Sequence, residues 1–160
     1  MTYLCAKFTS AALLALTLGS CSAPDRDIRV TVRGGQFAID YPWSLWRLVG
    51  LQDRTYCIRR VQLYDASGLI WLLNTRRDVQ CERVRMPIDV GKQLNGFNAL
   101  GNPAIQTNET YGVAIDGIGH GRVAFVYDGK SVENITDGKA MAPPCGYMWH
   151  CDAPVRNSGG

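Results

Sequence analysis

The densest set of soft donors in this 160-residue chain is Met141-Ala-Pro-Pro-Cys145-Gly-Tyr-Met148-Trp-His150-Cys151. Two thiols, two thioethers and an imidazole so close together suit Cu(I), because soft sulfur prefers a soft cation. If Cys145 and Cys151 close on each other they stop being ligands, and Cys-x5-Cys fits neither zinc-site spacing nor haem attachment. We read the segment first as a stapled structural loop. A metal site of Met141, Cys145, Met148, His150 and Cys151 is the weaker alternative, and no cofactor is expected.

Other chemistries find less support. A nucleophilic cysteine needs an activated thiolate beside a histidine, and the chain has only His120 and His150. His120 stands in Gly117-Ile-Gly-His-Gly-Arg122, a glycine-rich stretch followed by a strand pattern and not by the helix start that a phosphate-cradling loop requires. It reads as a solvated hairpin tip. No Gly-x-Ser-x-Gly elbow occurs, and Asp40, Glu109, Asp116 and Glu133 have no spacing that marks a glycosidase pair. A non-enzyme is expected.

Binding residues are easier to nominate. Arginine outnumbers lysine thirteen to four, and eleven arginines fall between Arg26 and Arg85. Guanidinium groups donate in a planar fork that suits phosphate and carboxylate, so Arg59, Arg60, Arg76 and Arg77 are candidates for a basic face. The competing reading makes them outward positions of ordinary strands beside Asp53, Asp65, Asp78 and Glu82. Alternation puts Tyr41 and Trp43 on one side and Trp46 on the other, so at least one aromatic should be partly exposed as an anchor for a partner, with core packing as the competing reading. Nucleic acid is not an expected partner.

The N-terminal twenty residues read as an address. Lys7 precedes the apolar run from Phe8 to Gly19, which is too short for a bilayer core of about 20 residues but fits a secretory signal. Leu18-Gly19-Ser20-Cys21 resembles the bacterial lipobox. That resemblance covers the first 21 residues alone and implies a diacylglyceryl thioether on Cys21, cleavage before it, and acylation, commonly palmitate, of the new N-terminus. Ser22 follows, without the aspartate that retains many such proteins at the inner membrane, so the outer membrane is preferred. Residues 1–20 are then the signal peptide and 21–27 a lipidated tether, 28–139 the folded domain and 140–160 a proline-punctuated tail.

With Cys5 lost and Cys21 lipidated, Cys57, Cys81, Cys145 and Cys151 remain, an even number that in an exported domain reads as two disulfides. Proximity in sequence favours Cys57–Cys81 and Cys145–Cys151. The remaining length suits one domain with a real core.

These residues are carried on strands. Asp27 to Arg33 alternates strictly, with Ile28, Val30 and Val32 on one face. Gly34-Gly35 turns the chain into Phe37–Ile39, and Pro42 to Val49 fits a helical turn or an edge strand. Thr55–Tyr64 and Leu69–Leu73 flank an Asp65–Gly68 turn, Gln80–Met86 follows, and Asp89 to Glu109 is expected as a long loop with a short strand near Phe97–Leu100. Thr110–Asp116 and Arg122–Asp128 form the clearest hairpin, before a last strand at Ser131–Ile135. This pattern predicts an all-β fold: one antiparallel β-sandwich of about seven strands. Tyr111 at the start of its strand resembles the tyrosine corner of immunoglobulin-like domains.

Taken together, the sequence predicts a lipid-anchored protein of the bacterial envelope, held to the bilayer through Cys21 and binding another envelope protein. The alternative is a periplasmic inhibitor or immunity-type lipoprotein, with copper handling third.

Overall fold

The computed structural model describes residues 27–42, 55–76, 80–117, 120–135, 142–145 and 154–155. Among them there is no helix, and the strands are β1 (Arg29–Arg33), β2 (Gln36–Asp40), β3 (Thr55–Asp65), β4 (Gly68–Thr75), β5 (Glu82–Arg85), β6 (Ile88–Asp89), β7 (Phe97–Leu100), β8 (Thr110–Gly117), β9 (Gly121–Tyr127) and β10 (Val132–Ile135). The short strand expected inside the long loop is β7. Pro42 to Val49 lies outside the described residues beyond its first position.

Two antiparallel sheets result. The smaller has the order β1-β2-β6, and the larger β10-β9-β8-β3-β4-β7 with β5 also on β3. The ten strands among the described residues exceed the expected seven, in part because Pro87 separates β6 from β5. Ile58 pairs with Gly117 on one side and Glu82 on the other, so β5 takes over the edge of β3 that β4 has left. Both sheets face one core. Val30, Ile39 and Ile88 of the small sheet pack with Val61, Leu63, Trp71, Val113 and Phe125 of the large one. Each such aliphatic or Phe side chain contributes about 1.5–3 kcal/mol on full burial.

The alternation along β3 breaks once. Tyr56 and Ile58 face the shared core, as do Val61 and Leu63, a spacing that skips one residue between Ile58 and Val61. The pairing with β8 shifts register there, between Ile58 and Arg60. Such a bulge reverses the parity of every later side chain. Gly117 sits opposite, and a Cβ on it would run into the backbone of Cys57 and Ile58, so glycine lets the two strands close at the bulge.

The opposite face of the large sheet is also buried. Tyr64, Leu69, Leu72 and Ala114 form a second cluster with Cys145, and Val155 packs against it. Val155 also makes a parallel bridge to Leu69, and Cys145 N–H donates to Gln62 Oε1 at 3.2 Å. Cys145 and Val155 therefore pack directly on the large sheet. The two sheets also meet at one margin, where Asn134 of β10 stands in for a missing strand. Its Oδ1 accepts from Val30 N–H at 2.8 Å and its Nδ2 donates to Val30 O at 2.9 Å.

Candidate functional site

The bulge brings Arg59, Arg60, Asp116 and His120 together. Because parity reverses there, Arg60 leaves the core side and joins Gln62, Tyr64 and Asp116 on the second face of the large sheet, where it is fully buried, while Arg59 is half-buried beside it. Asp116 of β8, 3 % exposed, receives Arg59 through both Nε, at 3.0 Å, and Nη2, on the same oxygen Oδ2. Its other oxygen, Oδ1, faces His120 Nδ1 at 3.1 Å. Burial pushes the Arg60 guanidinium below its ordinary value, the Asp116 carboxylate opposes that fall, and neighbouring Arg59 adds to it. The carboxylate thus holds together two arginines of β3 and the tip of the β8–β9 hairpin. Because its Oδ2 is taken by a guanidinium, the arrangement works as a clamp.

This placement changes the reading of the arginines. Arg59 and Arg60 do not form an exposed basic pair, since Arg60 is fully buried on the second face of the large sheet and Arg59 is tied to Asp116. Arg76 is exposed just after β4, whereas Arg77, Trp43 and Trp46 lie outside the described residues. Arg83 and Arg85 of β5 are exposed cations that the sequence did not single out. They flank buried Val84, an alternation that was legible in the sequence.

Cys57 and Cys81 are joined in a disulfide, with their Cα atoms 5.3 Å apart, which ties the start of β3 to the residue before β5. Of the soft donors, Cys145 is buried against the large sheet. Met141, Met148, His150 and Cys151 lie outside the described residues, as does Cys21.

The four carboxylates considered for acid–base work serve separate ends. Asp40 accepts from Tyr41 N–H, Glu109 accepts from the Tyr111 hydroxyl at 3.1 Å, Asp116 holds the clamp, and Glu133 stands exposed on β10. The Tyr111 hydroxyl also accepts from the Gln106 backbone at 2.8 Å, five residues upstream, which is the kind of contact a tyrosine corner makes.

A cleft of about 560 Å³ lies between the β1–β2 turn and the segment after β6. Phe37, Val90, Pro103 and Ile105 give it apolar walls, and Gln36 and Lys92 stand among the polar lining groups. Its shape is pinned by Gln36 Nε2 donating to Val90 O at 2.6 Å, by a 3.2 Å Lys92–Asp89 ion pair, and by the edge-on packing of Phe37 against Tyr127. Comparison with known proteins finds no family model, curated protein or solved structure that matches the chain.

Proposed function

We propose that this chain is a lipid-anchored envelope protein whose β domain binds another envelope protein or supports an assembly on the membrane, without catalysing a reaction. The observation that carries the reading is the Cys57–Cys81 disulfide, because structural disulfides belong to oxidising compartments. The Leu18-Gly19-Ser20-Cys21 motif points the same way. On this reading Cys21 is acylated, the outer membrane holds the protein, and Cys145 closes with Cys151. The two sheets form a sandwich of immunoglobulin-like type, a finer statement supported by the Tyr111 hydroxyl contact. Several buried acyl chains make attachment durable, since each methylene contributes about 0.8 kcal/mol.

The test is crosslinking in the native cell, with mass spectrometry of the N-terminal peptide. A thioether-linked Cys21 and a recurrent envelope partner are expected. An unmodified Cys21 behind an intact Met1 would overturn the anchor, and turnover of a cell-wall or lipid substrate by the purified protein would overturn the non-enzymatic reading.

The folded state of Asp89 to Glu109 favours a second reading, a periplasmic inhibitor or immunity-type protein. That segment contains β7 and helps wall the 560 Å³ cleft, so it offers a shaped surface to an enzyme. Substitutions at Lys92 and Ile105 that abolish capture of a secreted hydrolase or toxin would select this reading over the first.

A further inference from the structure

We propose that the end of the domain at which β1 begins is a surface for phosphate headgroups, with Arg83 and Arg85 of β5 resting against an anionic bilayer. The placement follows from register. Arg29 at the start of β1 pairs with Asp40, and Tyr41 just beyond meets the Tyr56 ring of β3 with centroids 4.4 Å apart. Tyr56 pairs with Val84, and its neighbours Cys57 and Thr55 pair with Arg83 and Arg85. The start of β1 and the two arginines therefore share one end of the molecule. Asp65 closes β3 at the opposite end, about 30 Å away at the rise of an extended strand.

Chain length then sets the orientation. Asp27 lies six positions after Cys21, about 20 Å when fully extended. Here the proposal rests on the lipid-anchor reading: a thioether at Cys21 holds this end toward the bilayer. Arg83 and Arg85 both point outward because Val84 between them is buried, and they stand about 7 Å apart along the strand. Among the described residues neither forms an ion pair, so their donor forks are open to phosphate oxygens. Charges on an edge strand can also serve only to discourage pairing with other chains, a role that is indifferent to lipid composition.

The measurement uses the chain from Ser22 onward, with no acyl group, since residues from Ile28 onward form both sheets and both cores. Co-sedimentation is compared between vesicles of phosphatidylcholine and vesicles of equal parts phosphatidylcholine and phosphatidylglycerol, at low and high salt. Binding is expected only to the anionic vesicles and is lost in high salt. Each arginine near such a surface raises partitioning about fivefold, so the R83Q/R85Q variant should bind about 25-fold more weakly. The charge-preserving R83K/R85K variant should keep most of the binding. R33Q, at the far end of β1, should leave it unchanged. Circular dichroism checks each fold, and the salt dependence of the unsubstituted chain stands by itself if a variant does not fold. Equal binding to both vesicles, binding to neither, or full binding by R83Q/R85Q overturns the proposal. Acylation of Cys21 is read separately by mass spectrometry. A bare Cys21 with intact anionic binding therefore removes the anchor and leaves the surface, and an acylated Cys21 without anionic binding does the reverse.

Discussion

Arg59 of β3 and Asp116 of β8 meet through two guanidinium nitrogens on one carboxylate oxygen, at the point where a bulge sets Arg60 on the second face of the large sheet. Removing the carboxylate strands buried positive charge. Asp116→Ala should lower unfolding stability by about 3–5 kcal/mol, read from urea denaturation, and Asp116→Asn should recover only part of the loss. Unchanged stability in both would mean that the clamp does not hold the bulge.

Asn134 and Val30 exchange two hydrogen bonds across the margin between the sheets. Asn134→Ala leaves the partly buried Val30 amide without that acceptor, and the expected cost is about 1–3 kcal/mol. Hydrogen exchange should show faster exchange at Val30, with Val61 in the shared core responding less.

The Cys57–Cys81 disulfide closes a sequence separation of 24 residues. On the chain-entropy model such a loop contributes about 3.5 kcal/mol by restricting the unfolded chain. The C57A/C81A variant should lose roughly that stability in denaturant titrations while keeping its far-ultraviolet spectrum.

Asp128 accepts the backbone N–H groups of Ser131 and Lys130 and the Ser131 hydroxyl. The Ser131 N–H above all, then the Lys130 N–H and the Ser131 hydroxyl, hold its carboxyl down from 3.8 to about 2. Because the folded value is the lower one, the unfolded chain takes up the proton first. The turn's contribution is full above pH 4 or so and fades as pH falls through about 2. Carbon-detected NMR should place the Asp128 midpoint near that value, and the stability gap between the native chain and Asp128→Asn should close over the same window.

Tyr111 shows the opposite sign. Burial chiefly raises its hydroxyl above the ordinary 10.0, the Gln106 N–H contact opposes this, and Glu109 adds to it. The folded state therefore prefers the neutral phenol, so its contribution is complete below pH 10 and is lost as pH climbs through the raised folded value. Tyr111→Phe should cost about 1 kcal/mol at neutral pH and remove one late-titrating tyrosinate from the ultraviolet titration.

Most strands were legible because their alternation and punctuation are clean. Ile28 and Val30 against Arg29, the glycines at positions 34 and 35, and the Thr110–Tyr127 hairpin all appear where periodicity places them. What the alternation hid was the bulge. Read as a uniform strand, Arg59-Arg60 looks like a solvated basic pair, although the three-residue step from Ile58 to Val61 already shows that two core-facing runs are out of phase. Asp116 was harder to assign, since its partners lie 57 residues back along the chain and only register brings them together. The cover over the second face was also illegible: Cys145 and Val155 sit in a proline-punctuated stretch with no period, and nothing local declares that they rest on Leu69 and Tyr64.

That cover has a consequence for the order in which the molecule is completed. Among the described residues, every strand of the large sheet precedes residue 136, whereas Cys145 and Val155, which pack with Tyr64, Leu72 and Ala114, come after it. A chain emerging from its N-terminus therefore can complete its shared core while one greasy flank still faces water, until Cys145 and Val155 arrive to cover it.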